Sequence, residues 1–142
     1  MENFEPLSFW FAHRVSYRET DTMAVVYYAE YLYFFERART EYIRNILSLS
    51  YYQLEQQGYF LPVTHADCTY KHSIRYDEYI QIKTYISQCK RASLIFNYEI
   101  YNEEKNTLYA FGTTTLACID RTGKPCKLPD IFIKNYTALV RE

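Results

Sequence analysis

The sequence contains little glycine, little proline and no excess of charge of either sign. Its 142 residues include three Gly and four Pro, so we expect few turns that need a positive φ, and long helices and strands. Lys and Arg number 16 and Asp and Glu number 17. A net charge of −1 offers no basic surface for a polyanion, and no nucleic-acid partner is expected.

Long hydrophobic runs are also missing from the sequence. The longest candidate, residues 23–35, is interrupted by Glu30 and is shorter than the ~18 apolar residues that a membrane span requires. The first six residues lack the basic and apolar segments of a secretory signal. We therefore expect no membrane span and a cytoplasmic location.

Neither the cysteines nor the histidines are spaced like metal ligands. A zinc site needs three or four ligands that converge, and the chain has no CxxC pair and no regular histidine spacing, so no metal is expected. In a chain with an ordinary core the cysteines are expected as free thiols. The four cysteines are Cys68, Cys89, Cys118 and Cys126, and the three histidines are His13, His65 and His72.

Aromatic residues, in contrast, are abundant. Tyr, Phe and Trp number 17, 9 and 1, or 19% of the chain. Tyrosine combines apolar area with a polar tip, so we attribute the excess first to packing and subunit contacts and second to ligand binding. With 49% hydrophobic and 23% charged residues, a chain of this length predicts one folded domain, residues 1–142.

The hydrophobic pattern predicts an α+β protein. Residues 30–47 place apolar side chains on one stripe with a period of 3.6, which predicts an amphipathic helix of about five turns. A shorter helix is predicted at residues 51–57, with Gly58 as its C-terminal cap. The stripe consists of Tyr31, Phe35, Ala38, Tyr42 and Ile46.

Extended segments with β-type composition lie on both sides of the long helix. One precedes it and four follow in succession, which favours an antiparallel sheet of about five strands curled around one central helix. The segment 130–139 fits either a helix or a docked extension. The predicted strands lie within residues 7–18, 61–70, 79–87, 94–101 and 108–119.

Thr20 and Asp21 form a polar site between the first strand and the aromatic run that leads into the long helix. An Asp at such a junction is most often a helix N-cap. The alternative is catalytic, because N–H groups at a helix start can hold an oxyanion while a carboxylate attacks or activates water. Both interpretations stay open from these residues alone. Glu30 and Glu36 are the next candidate carboxylates, although Glu36 is expected on the solvated helix face.

The segment around Asp21 carries a recognisable combination of motifs. It consists of Tyr17, Thr20, Asp21, Val25, Val26, Tyr27, Tyr31 and the run Phe-Glu-Arg-Ala-Arg-Thr-Glu at 35–41. These residues resemble the 4-hydroxybenzoyl-CoA thioesterase family, especially its YbgC-like acyl-CoA thioesterase branch. The resemblance continues more weakly through residues 75–77 and 119–129, so it covers nearly the whole chain.

This resemblance implies a hot-dog fold, in which a curved antiparallel sheet wraps one long helix. It also implies a homo-oligomer, most commonly a tetramer of hot-dog dimers, with active sites between protomers. The expected reaction hydrolyses acyl-CoA to a carboxylic acid and free coenzyme A, with no cofactor beyond the coenzyme A of the substrate. Asp21 would be nucleophile or general base, supported by Tyr17, and the oxyanion would bind near Val26, Tyr27 and Tyr28.

Four residues depart from the family pattern. Tyr28 stands where His is common, and a phenol, with an ordinary pKa of about 10, can donate a hydrogen bond but cannot act as a base at neutral pH. Ala24 stands where Gly is common, which suggests a backbone that does not need a positive φ there. Glu30 replaces a common Asn, and Glu19 replaces a common Asp.

The remaining predictions concern the substrate. Lys90, Arg91 and Arg75 are candidate contacts for the phosphates of coenzyme A, the alternative being solvated turn residues. An acyl carrier protein could replace coenzyme A as the carrier of the thioester. A third interpretation is a non-catalytic module that binds acyl thioesters on a hot-dog frame, since a fold alone does not establish an activity.

Overall fold

One antiparallel sheet of five strands is the main architectural element in the computed structural model, which describes residues 6–140 and the side chains of 6–136. The strands lie in the order β1-β3-β4-β5-β2. Their bounds are β1 Phe9–Arg14, β2 Val63–Tyr70, β3 Tyr79–Cys89, β4 Ser93–Tyr101 and β5 Leu108–Ala117. The five-stranded antiparallel prediction is therefore confirmed. β1 is shorter than predicted, because the chain leaves the strand for a 3₁₀ turn at Tyr17–Glu19.

Three helices complete the described part of the chain: α1 Glu30–Ile46, α2 Tyr51–Gln56 and α3 Asp130–Val140. The two helices predicted by periodicity are confirmed, and the C-terminal segment, which the sequence left undecided, is helical. Gly58 follows α2 with φ +92°, the left-handed conformation expected of a C-terminal cap. Within residues 6–140, no helix is long and apolar enough to cross a bilayer.

The core lies between α1 and one face of the sheet. Four of the five residues in the predicted stripe of α1 are buried, and the fifth, Ile46, is half-buried. Alternate residues of β3 and β4 are buried as well. Phe35 stacks on Tyr98 with ring centroids 4.3 Å apart, and Tyr42 meets Phe96 edge-on at 5.5 Å. This arrangement of one helix against one antiparallel sheet is the architecture of the predicted hot-dog fold.

Gly112 in β5 permits this helix to lie close to the sheet. A Cβ atom at this position would lie 2.1 Å from the carbonyl oxygen of Asp67 on β2 and 2.8 Å from Cε2 of Phe35 on α1. The missing side chain therefore leaves room both for β2 and for the ring that stacks on Tyr98.

We expect Gly112→Ala to lower the free energy of unfolding by about 1–3 kcal/mol, the usual cost of overpacking. Because the nearest atom is a backbone oxygen, adding Phe35→Leu should not restore the lost stability. Denaturant unfolding of both variants measures the effect. A Gly112→Ala protein as stable as the wild type would contradict the close approach.

Candidate active site

Asp21 lies in a tight turn that connects the 3₁₀ turn to the approach to α1. A bridge pairs Thr20 with Val26, the amide of Asp21 donates to the carbonyl of Val25 at 2.9 Å, and the amide of Ala24 donates to the carbonyl of Asp21 at 3.0 Å. Oδ1 of Asp21 accepts the amide of Met23 at 2.8 Å. One carboxylate oxygen is thus held by the turn, and the side chain is exposed.

The interpretation of Asp21 as the N-cap of the long helix is wrong. α1 begins at Glu30, and its N-cap residue is Ala29, which makes no side-chain cap. Asp21 lies nine positions before that helix start and hydrogen-bonds within its own turn, as Asp commonly does in loops. Its carboxylate therefore has no capping role at α1.

Ala24 adopts φ +62°, so the expectation that this position needs no positive φ is wrong. The backbone curls through the left-handed region here to close the bridge between Thr20 and Val26. A methyl side chain in that region costs about 1–2 kcal/mol relative to glycine. The chain thus keeps a turn geometry that glycine would adopt with less strain.

We expect Ala24→Gly to raise the free energy of unfolding by about 1 kcal/mol, because glycine relieves the left-handed strain. Ala38→Gly is the matched control: Ala38 lies in the interior of α1, where the same change should lower the free energy of unfolding. Thermal and denaturant unfolding of the two variants tests this. A loss of stability in Ala24→Gly would contradict the strain.

An open cleft of about 230 Å³ lies beside this turn. The ring of Tyr31 meets that of Tyr70 edge-on at 4.7 Å, and the Tyr70 hydroxyl donates to the carbonyl of Tyr28 at 3.0 Å. Two of the predicted site residues, Val26 and Tyr28, contribute to its walls. The lining residues are Val25, Val26, Tyr28, Tyr31, Tyr70, Lys71, His72 and Ser73.

Some backbone amides near this cleft already donate a hydrogen bond, and others are free to donate to a substrate. The amide of Val26 donates to the carbonyl of Ile74 at 2.7 Å, and that of Tyr27 donates to the carbonyl of Glu19 at 2.9 Å. Within the described residues, the amides of Tyr28 and Ala29 have no acceptor. Val26 and Tyr27 therefore belong to the frame of the site, and Tyr28 and Ala29 carry the free donors.

Three exposed tyrosines, Tyr17, Tyr27 and Tyr28, flank the Asp21 turn along the chain. The rings of Tyr27 and Tyr28 lie 4.7 Å apart, and the neighbouring Tyr28 hydroxyl and, more weakly, the charge of Asp21 raise the pKa of Tyr27. Tyr17 packs edge-on against Tyr76 at 5.5 Å and is 76% exposed. Its hydroxyl makes no hydrogen bond to the described residues, so its support of Asp21 stays a prediction.

The three candidate phosphate contacts do not form one cluster in the chain. Arg75 bridges Val25 beside the Asp21 turn, whereas Lys90 and Arg91 follow the opposite end of β3. A strand of 11 residues spans about 35 Å at its usual rise. Arg75 is therefore the basic candidate that lies next to the turn.

Arg39 is a functional candidate that sequence reasoning missed. It is 8% exposed, its Nε donates to the hydroxyl of Tyr51 at 3.1 Å, and it lines a cleft of about 610 Å³ together with exposed Glu36. Burial lowers the pKa of Arg39, but Tyr98 and Tyr51 outweigh this effect and raise it. Arg39 lies four residues after Phe35, at the edge of the apolar stripe, and this position could have indicated from the sequence that its charged side chain is buried.

The comparisons with known proteins agree with this architecture. Residues 15–135 match the family described as the Thioesterase-like superfamily. The chain belongs to this superfamily. It is 36% identical to an acyl-CoA thioesterase YbgC of Haemophilus influenzae over 79% of this chain and 81% of that protein. It is 34% identical to an acyl-CoA thioester hydrolase YbgC of Escherichia coli over 87% and 91% of the two chains.

Solved thioesterase-like structures show the same fold. A structure described as DHNA-CoA thioesterase from Staphylococcus aureus superposes with a TM-score of 0.86 at 35% identity, covering 94% of this chain and 91% of that one. In the part of the chain that the structure describes, no group of three or more His, Cys, Asp or Glu could hold a metal ion.

Proposed function

We propose that the protein is an acyl-CoA thioesterase in which Asp21 supplies the catalytic carboxylate. The observation that carries this proposal is the geometry of the turn. One oxygen of Asp21 is held by the amide of Met23, the side chain is exposed, and free amides at Tyr28 and Ala29 lie at the approach to α1. Relatives at 34–36% identity carry the name acyl-CoA thioesterase or thioester hydrolase.

Two routes use these groups. In the nucleophilic route, Oδ2 of Asp21 attacks the thioester carbonyl, the C–S bond breaks, the thiolate of coenzyme A takes a proton, and water then hydrolyses the mixed anhydride. In the general-base route, Asp21 takes a proton from water as that water attacks the carbonyl. Both routes place negative charge on the carbonyl oxygen, which the amides at the start of α1 can stabilise.

Tyr28 has a limited role in either route. Its exposed hydroxyl can donate a hydrogen bond to the substrate, but it cannot replace a histidine as a base at neutral pH. The proton transfers of the reaction are therefore assigned to Asp21, and Tyr28 is assigned to substrate binding.

An aromatic acyl group is the substrate class that the cleft favours. Tyr28, Tyr31 and Tyr70 contribute to its walls, and aromatic rings pack well against one another in edge-on or offset geometries. The similar structure at 35% identity is described as acting on DHNA-CoA. A panel of aromatic and aliphatic acyl thioesters, each carried on coenzyme A and on acyl carrier protein, tests this choice with free thiol as the readout. Faster release from the carrier protein would favour that alternative, and binding without release of thiol would favour the non-catalytic module.

We expect Asp21→Asn to lower kcat at least ~100-fold, the low end for loss of a positioned acid–base group. Asparagine keeps an oxygen for the amide of Met23, so the turn and the melting temperature should change little. Release of free thiol from acyl-CoA measures the rate.

The matched control is Asp77→Asn. Asp77 is an exposed turn residue at φ +70°, a conformation that Asn tolerates, so kcat should stay near the wild-type value. An Asp21→Asn enzyme that works at nearly the wild-type rate would contradict the assignment, and Glu30 and Glu36 would be tested next.

A homo-oligomer is the second part of the proposal. β2 is an edge strand, its residues are exposed on both faces apart from Cys68, and its ends carry large exposed side chains at Val63 and Tyr70. An open edge of this kind is usually paired or covered. Pairing of β2 with its copy in a second protomer would join two sheets and enclose the exposed tyrosines.

Light scattering at micromolar concentration should therefore give a mass of two or four times the 17.1 kDa of one chain. Dimers and tetramers both fit the proposal. A mass of 17.1 kDa would contradict it, because the cleft would then have no second protomer to complete it.

A further inference from the structure

Three side chains from different elements form a hydrogen-bonded series behind the Asp21 turn. The carboxylate of Glu19 lies 2.9 and 3.1 Å from Nε2 of His13 on β1, and Nδ1 of the same imidazole lies 3.0 Å from a guanidinium nitrogen of Arg37 on α1. Glu19 also accepts the amide of Ser16 at 2.7 Å. We name Glu19, His13 and Arg37 the relay.

The chemistry of the relay determines where its protons lie. A guanidinium group can only donate, so Nδ1 of His13 accepts from Arg37. In the neutral imidazole the other nitrogen then carries the hydrogen, and Nε2–H donates to the carboxylate of Glu19. Arg37 is further held over the ring of Phe11, 4.7 Å from its centroid. The relay therefore presents a fixed donor to Glu19.

Glu19 connects the relay to both ends of the catalytic turn. Its carbonyl accepts the amide of Tyr27, and the next two residues of the chain are Thr20 and Asp21. The side chain of Glu19 is held before the turn by His13 and Ser16, and its backbone carbonyl is bonded to Tyr27 after the turn. Glu19 is 6% exposed, so neither water nor substrate replaces these contacts.

We propose that Glu19 is a positioning residue whose carboxylate, held by His13 and Arg37, fixes the turn that carries Asp21. This inference rests on the proposed catalytic role of Asp21. The carboxylate acts through its charge and its acceptor geometry. Burial raises the pKa of Glu19, but the hydrogen bonds from Ser16 and His13 outweigh it and leave the pKa below its ordinary value, which agrees with an ionised anchor.

Glu19→Gln and Glu19→Asp distinguish positioning by charge from simple packing. Gln has the shape of Glu, and its carbonyl oxygen can still accept from Ser16 and His13, but Gln carries no charge. Its NH2 group would replace the Oε2 of Glu19, which lies 3.1 Å from Nε2 of His13, and would place two donors against each other there. Asp is shorter but keeps the charge. We expect Glu19→Gln to lower kcat by about tenfold or more with KM little changed, since small displacements of a reacting group are costly, and Glu19→Asp to retain more of kcat than Glu19→Gln.

Glu99→Gln is the matched control, because Glu99 is a half-buried carboxylate on β4 that accepts a hydrogen bond from Tyr101. It should keep kcat even where its melting temperature falls. The assays are run well below the lowest melting temperature. A Glu19→Gln enzyme with kcat within twofold of the wild type, or a Glu19→Asp enzyme worse than Glu19→Gln, would overturn the proposal.

A double-variant cycle tests whether Glu19 acts through Asp21. In an Asp21→Asn background, Glu19→Gln should cause no further loss of residual kcat, because the group it positions is already inactive. A full additive loss would overturn the proposal. An Asp21→Asn enzyme that keeps its activity would instead refute the proposed catalytic carboxylate, so the two failures are distinguishable.

Arg37→Met gives a second variant if Glu19→Gln does not fold. Methionine retains an apolar stem over Phe11 but removes the donor that sets the protonated nitrogen of His13. We expect kcat to fall in the same direction and by less than in Glu19→Gln, again with KM little changed. An Arg37→Met enzyme that folds and has wild-type kcat would overturn the role of the relay.

Discussion

The close packing of α1 on the sheet is the constraint on which the rest of the structure depends. At Gly112 the absence of a side chain leaves room for Phe35, whose ring stacks on Tyr98. In a domain of this size, the layer between a single helix and the sheet face on which it packs holds the greater part of the apolar core. The position of that helix also determines where its first residues and the preceding turn lie.

The turn before α1 combines strain with strong local hydrogen bonding. Ala24 is held at φ +62°, and the amides of Asp21, Ala24 and Tyr27 are all paired. Strained backbone persists where its surroundings over-determine it, and such places are often functional sites. In this protein the surroundings are the bridge between Thr20 and Val26 and the pairing of the Tyr27 amide with the carbonyl of Glu19.

Neighbouring groups at the site differ in whether they are free to bind a substrate. Val26, Tyr27 and Tyr28 are consecutive, yet the first two amides are used by Ile74 and Glu19 and the third has no acceptor among the described residues. Similarly, Arg75 and the pair Lys90 and Arg91 are all basic, but β3 separates them. Sequence proximity or shared charge therefore did not identify which groups can act together on one substrate.

The sequence by itself determined the order of helices and strands as far as β5, most of the buried stripe of α1 and the cap at Gly58, because these follow from local periodicity and backbone preference. The motif around Asp21 also identified the family. Tertiary structure alone decided that Asp21 does not cap α1, that Ala24 takes a positive φ, and that His13, Glu19 and Arg37 meet. These features depend on contacts between β1, the turn and α1, which no local pattern encodes. The physical reason is that periodicity reports which face of an element is buried, whereas a relay or a turn depends on how separate elements are placed against one another.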